Sequence, residues 1–152
     1  MVLDEDVKKS KLSFFSLIFW KDFKSIFKRY FGYECFCLED IVKHSQSKGA
    51  DIVWHELYDW EDLEDIEILK KLTDLNRFNG EIYVVTEASY RDGLAPFKLD
   101  GADLKRFVKA HLEFFKECFF NGDVLIISPK SLSIWAFHHE GVFAFIGKDL
   151  DK

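Results

Sequence analysis

Six of the nine residues from Asp59 to Glu67 are acidic: Asp59, Glu61, Asp62, Glu64, Asp65 and Glu67, interleaved with Trp60, Leu63 and Ile66. Part of this density has a local cause. Acids in the first turn of a helix are favoured by the helix dipole, Asp59 is placed to cap, and Glu67 stands four residues before Lys71. The dipole effect fades within about the first turn, so it accounts for only some of the six. With Leu63, Ile66, Leu69 and Leu72 forming the inward stripe of a helix from about Trp60 to Arg77, the carboxylates of Glu61, Glu64 and Asp65 project together into solvent. Glu56 in the preceding strand, and Tyr58 and Trp60 beside the acids, complete an acidic surface with aromatic anchors. Two readings stay open at this point: a solvated helix face, and a binding surface for a basic partner, for which crowded like charges would be retained against their own repulsion.

His138-His139-Glu140-Gly141 is the second constellation. Two histidines and a carboxylate suit a divalent metal and a metal-dependent enzyme, but adjacent residues of an extended strand point to opposite sides, so the pair needs a bend to meet on one ion. No third ligand stands near in sequence, although His55, His111 or Glu140 are available to approach in space. The alternative is a hairpin end with one partly buried imidazole. Cys35-x-Cys37 has one intervening residue and no second cysteine pair, which fits buried thiols better than a metal knuckle. Neither a Gly-x-Ser-x-Gly elbow, a Walker loop nor a Gly-x-Gly-x-x-Gly turn occurs, and the three cysteines, Cys35, Cys37 and Cys118, lie in apolar contexts that raise thiol pKa values.

The elements that must position these residues follow from periodicity. Leu12, Phe15, Phe19, Phe23, Ile26, Phe27 and Tyr30 fall at helical spacing and predict an amphipathic helix ending at Gly32. Its basic face leaves a membrane-surface helix as an alternative to a core helix. Tyr33–Cys37 reads as a short edge strand, Leu38, Ile41 and Val42 as a short helix stopping before Gly49, and Asp51–Leu57 as a strand. A strand over 81–87 and a helix over 102–119 come next, the latter with Leu104, Phe107, Val108, His111, Phe115 and Cys118 or Phe119 on its inward face, Asp100 as N-cap and Asn121-Gly122 as its stop. Between them 88–99, with Tyr90, Arg91, Asp92, Gly93 and Pro96, reads as a long connection and a contact loop.

Val124–Ile127, an apolar run between Asn-Gly and Ser-Pro, predicts a central strand buried on both faces. The alternation of 132–137 and the run 142–146 add two strands to make an antiparallel meander. Helices alternating with strands predict parallel neighbours as well. The expectation is therefore a single α+β domain over 1–152 with residues 1–10 frayed, a mixed sheet of about five strands and about four helices.

The chain has 152 residues and a net charge of −6, with 17 Phe, 5 Tyr and 4 Trp. That much aromatic area supplies a core and excludes a disordered chain. Charge is uneven: residues 1–33 carry a net +3, 34–92 a net −9 and 93–152 none. An acidic middle third lacks the basic stripe a nucleic-acid binder needs. The densest apolar run, Phe14–Trp20, is too short to span a bilayer and lacks the flanks of a signal peptide, and few unpaired cysteines fit a reducing compartment, so a cytoplasmic protein is expected.

The acidic strand-helix-strand segment and the closing pattern Phe119-Phe120-Asn-Gly-Asp123-Val-Leu-Ile-Ile-Ser-Pro, followed by Ile134-Trp135 and His138-His139-Glu-Gly, resemble the small acidic immunity proteins of bacterial toxin systems, including those of contact-dependent growth inhibition. The likeness covers mostly residues 50–146. It implies a cytoplasmic protein without enzymatic activity that binds the toxin domain of its own cell's system, often a nuclease, and blocks it; no cofactor is expected. On that expectation the partner-binding residues are Glu56, Tyr58, Asp59, Trp60, Glu61, Asp62, Glu64, Asp65, Tyr90 and Asp92. The rival readings are a metal-dependent enzyme on His138, His139 and Glu140, and a small adaptor or ligand-binding domain with an apolar pocket.

Overall fold

The computed structural model describes residues 14–73, 78, 80–91 and 93–147. The predicted fraying of residues 1–10 and the helical continuation to Arg77 lie outside them. Seven strands form one sheet in the order β1-β4-β3-β5-β6-β7-β2. In chain order they are β1 (Phe15–Leu17), β2 (His55–Glu56), β3 (Glu81–Val85), β4 (Phe97–Asp100), β5 (Val124–Ser128), β6 (Ser133–His138) and β7 (Val142–Gly147). Four α-helices accompany them: α1 (Trp20–Phe31), α2 (Leu38–Ser47), α3 (Asp65–Thr73) and α4 (Leu104–Phe115).

β5 stands in the middle of the order, and all five of its residues are buried. Because side chains alternate across a strand, its neighbours divide the core in two. Ile82, Val84, Val124, Ile126, Trp135 and Phe137 face α3 and α4, meeting Ile68, Leu72, Leu104, Phe107 and Val108. Tyr83, Val85, Leu125, Ile127, Ile134 and Ala136 face α1 and α2, meeting Phe23, Phe27, Leu38 and Ile41. A helix pair thus covers each face of the sheet. Its two edges, β1 and β2, are only three and two residues long, which limits the unpaired backbone offered to other chains.

Every strand pair is antiparallel, so the expected mixed sheet is corrected. The cause is β4. Read as part of a loop, 97–100 pairs with β3 (Ile82 opposite Leu99) and also with β1 (Phe15 opposite Leu99), reversing the chain before α4 reverses it again. A strand plus a helix between β3 and β5 makes those two antiparallel, where a helix alone would have made them parallel. The rest of 88–99 is likewise no open loop: Ala88, Ser89, Leu94 and Ala95 are buried.

Other differences have local causes. The amphipathic helix starts at Trp20 rather than near Leu12, because Phe15 and Leu17 extend along β4 and Phe15 packs edge-on against Phe97 and Phe107. It does end at Gly32, which takes a left-handed φ of 86°. Tyr33–Cys37 forms no strand, since the Asp40 carboxylate accepts the Phe36 and Cys37 N–H groups (2.8 and 3.1 Å) and folds the segment into the start of α2. The predicted strand over 51–57 is reduced to His55–Glu56, pairing only with β7. Helix α4 buries Leu104, Phe107, Val108, His111 and Phe115 as expected but stops at Phe115, short of Cys118 and Phe119; Lys116 turns left-handed there and Arg91 Nη1 donates to the Phe115 carbonyl (3.1 Å). Cys35 is buried, which raises its thiol pKa, whereas Cys118 is exposed. No helix among the described residues is long and apolar enough to cross a membrane.

His111 is the buried polar residue with the clearest consequence. Its Nδ1–H donates to the Glu117 carbonyl (3.2 Å) and its Nε2 accepts from the Thr86 hydroxyl (3.1 Å), whose oxygen is itself engaged by Ala88 N–H. This pattern satisfies a neutral ring. Burial holds its pKa at about 4, below the ordinary 6.5, against an opposing contribution from the Glu117 carbonyl. Between those values the unfolded chain binds a proton that the native ring refuses, so stability is full above about pH 6.5 and falls as the pH drops toward 4. The expected loss is of order 3 kcal/mol. Urea unfolding of the wild type and of His111→Gln at pH 7, 5 and 4 checks it: the variant should show a smaller loss on acidification, and equal losses would contradict the assignment.

Candidate functional site

The segment after β2 is folded by three backbone devices. Leu57, buried beneath the sheet edge, donates its N–H to the Gly141 carbonyl (2.9 Å). Asp59 then takes a left-handed φ of 57°, a conformation aspartate tolerates better than most residues, and Trp60–Asp62 make one 3-10 turn. Leu63 is extended (φ −95°, ψ 144°), which separates this turn from α3. The predicted helix from Trp60 is therefore two elements, and Asp59 makes no side-chain cap. Glu64 precedes α3 instead: its carbonyl accepts the N–H groups of Glu67 and Ile68, and Glu67 Oε1 reaches back to the Glu64 N–H (3.2 Å).

The acidic residues accordingly divide into two groups. Asp65 is half-buried and accepts the backbone N–H groups of Phe119 (2.8 Å) and Phe120 (3.2 Å), tying α3 to the turn before β5. Glu67 closes the helix start. Glu56, Asp59, Glu61, Asp62 and Glu64 are exposed, and among the described residues none of the five has a salt-bridge partner. Tyr58 stands among them with 78% of its surface exposed, and a hydrogen bond with Glu56 raises its phenol pKa.

Trp60 is an anchor of the ledge rather than part of its face. It packs edge-on against Phe137 (5.5 Å between ring centres), and its indole lies directly over Gly141, whose φ is +85°, so that a Cβ there would overlap the indole. Tyr90 is elsewhere. Its ring stacks on Trp20 (5.2 Å) and its hydroxyl donates to the Phe36 carbonyl (2.8 Å), which places it in a partly exposed aromatic group at the starts of α1 and α2 instead of the acidic segment. Asp92 lies outside the described residues.

The second constellation is assembled on the same β6–β7 turn that carries Gly141. β6 ends at His138, the chain reverses with Gly141 N–H donating to the His138 carbonyl (2.9 Å), and the imidazoles of His138 and His139 come together with ring centres 4.1 Å apart. The turn is the bend that a straight strand lacks. Asp123 Oδ1 accepts both the backbone N–H and the Nδ1–H of His139 (2.9 Å each). That hydrogen bond raises the His139 pKa, with the charges of Asp123, Glu140 and Glu87 adding to it. Of the third ligands considered from sequence, His55 packs against Phe143 and His111 is buried with Thr86. Asp123 was missed. Its signal is the ladder itself: Val124 faces Phe137, so one step back Asp123 comes opposite His138.

Beside this group runs an open groove of about 590 Å³ lined by Glu87, Tyr90, Arg91, Glu117, Asn121, Gly122 and His139. Arg91 and Glu117 form an ion pair there, and Glu117 Oε1 is buried with no hydrogen-bond partner among the described residues. Compared with protein-family models, curated proteins and solved structures, the chain finds no match.

Removing the Asp65 carboxylate leaves two backbone N–H groups without their acceptor, so Asp65→Ala should destabilise by about 2 kcal/mol, against about 0.5 kcal/mol or less for Glu61→Ala. Urea midpoints compared at constant slope decide it, and equal effects would return Asp65 to the exposed group. Gly141→Ala, which meets both a left-handed backbone and the Trp60 indole, should cost at least about 2 kcal/mol. Combining it with Trp60→Ala should relieve only the steric share, measured as non-additivity in a double-mutant cycle.

Proposed function

We propose that this protein is a non-enzymatic inhibitor of the immunity type, which binds a toxin domain and covers its cationic groove with the ledge formed by Glu56, Tyr58, Asp59, Glu61, Asp62 and Glu64. The observation that carries this reading is the exposed Tyr58 set among five carboxylates with no described ion-pair partner. Carboxylates used to hold backbone groups explain themselves, as Asp65 and Glu67 do. The carboxylates of the five on the ledge hold no helix end and, among the described residues, neutralise no cation, yet they repel one another.

A rigid support makes such a surface useful for binding. Leu57 is held by the Gly141 carbonyl and Trp60 by Phe137 and Gly141, so the short segment between them loses little freedom when a partner docks. A tyrosine adds large contact area at low entropic cost, and clustered negative charge steers a positively charged partner into encounter. A nuclease is the toxin class whose groove has the matching chemistry, because it must hold phosphates.

Charge reversal tests the ledge without disturbing the fold. Glu56→Lys, Glu61→Lys and Glu64→Lys together should weaken binding to the cognate toxin domain by 100-fold or more, about 3 kcal/mol, and Tyr58→Ala by about tenfold. Wild-type affinity should fall as salt rises from about 50 to 200 mM, and the triple variant should lose that dependence. Calorimetric titration measures both. Unchanged affinity with unchanged salt dependence would remove this surface from the interface.

A further inference from the structure

The β5–β6 ladder brings an aspartate to a histidine, and the turn that follows brings a second histidine to the first. Asp123 lies one step before Val124, which pairs with Phe137, and His138 pairs with Val142 at the hairpin end. Past His138 the chain leaves the strand, so the alternation that would send His139 to the opposite side no longer applies. One ligand-capable atom from each of Asp123, His138 and His139 lies within 4.8 Å of the other two, and among the described residues no other three such side chains converge in this way.

We infer that Asp123, His138 and His139 form a binding site for a divalent transition-metal ion of Zn²⁺ type. Two imidazoles and one carboxylate are the donor set that borderline ions prefer, whereas Mg²⁺ and Ca²⁺ select oxygen donors. A tetrahedral site with bonds of about 2.0–2.2 Å holds its donors about 3.3–3.6 Å apart. Side-chain rotation closes the difference. The His139 side chain is 58% exposed and that of Asp123 35%, so neither is locked by packing.

The surroundings favour a dication. Glu140 follows His139 directly, and the Glu87 side chain lies across Gly122, next to Asp123, at a position any Cβ would occupy. Both carboxylates act on His139 through space. Three protein ligands leave at least one coordination position free, and the groove lined by Glu87, Arg91, Glu117 and His139 opens beside it. An ion here would also tie the start of β5 to the 138–142 turn. That turn carries the Gly141 contacts of Leu57 and Trp60, so the ion would stiffen the support of the ledge without being part of it.

Titration of the full chain with Zn²⁺ tests the site by calorimetry and by thermal unfolding. The expected result is one equivalent bound with a Kd of about 1–10 μM and a raised Tm, with Mg²⁺ giving neither. Asp123→Asn, which keeps an oxygen to accept the His139 backbone N–H, and His139→Gln, at an exposed position, should each weaken Zn²⁺ at least about tenfold while their metal-free unfolding stays near wild type. Absence of stoichiometric Zn²⁺ binding at about 100 μM would overturn the site. So would undiminished binding in the His138→Gln/His139→Gln double variant, which would assign the ion to other side chains such as Cys37 and Cys118.

Discussion

Val124 lies across from Phe137, and that single register runs through the whole molecule. It sets which of the alternating residues of β5 and β6 meet α3 and α4 and which meet α1 and α2. A slip by one residue would turn Trp135 and Phe137 to the face now occupied by Ile134 and Ala136, exchanging two large aromatic rings for a smaller pair in a core already filled by Phe23 and Phe27. The same register carries Asp123 to His138 at the end of the ladder, and the β6–β7 turn that continues it presents Gly141 to Leu57 and Trp60. Core, acidic ledge and histidine pair therefore hang on one hairpin.

Several carboxylates in this protein hold backbone groups. Asp40 accepts two N–H groups at the start of α2, Asp65 two at the turn before β5, and Asp100 one from Ala102, each satisfying donors that a helix or 3-10 start leaves unpaired. A carboxylate accepting such bonds is oriented and partly screened, which makes it a poor contact for a partner. Sequence position alone would have sorted these residues badly, since half-buried Asp65 directly follows exposed Glu64. What separates them is the direction of the helix they start. Glu64 stands outside the first turn of α3 and Asp65 inside it, turned toward the Phe119–Asn121 turn.

The antiparallel sheet illustrates where periodicity misleads. Residues 97–100 are a strand of four flanked by Pro96 and Gly101, too short and too punctuated to stand out from a loop, yet pairing on both sides buries Phe97 and Leu99. Phe15 and Leu17 equally fit helical spacing and an extended edge, and contact with Phe97 and Phe107 decides for the edge. Leu63 satisfies an inward helical stripe but is extended: Trp60, in the turn before it, is seated on Gly141 and Phe137, and a new helix starts at Asp65. Local pattern weighs one element at a time, and in each case a contact distant in sequence outweighed it.

Some features were legible from residues alone because their causes are local. The burial of 124–127 on both faces, the meander that follows, the stop of α1 at Gly32, the inward face of α4 and the acidity of 59–67 all follow from patterning within a single segment. Which acids are free, which aromatics are anchors and whether two neighbouring histidines converge depended on partners 16 to 81 residues away: Asp123 for His139, Gly141 for Trp60, Phe119 for Asp65 and Phe36 for Tyr90. A chain segment carries its own hydrophobic period and its own caps. Strand register and the crossing of distant turns do not belong to any one segment, so the division of these side chains between fold and surface existed only once the sheet had closed.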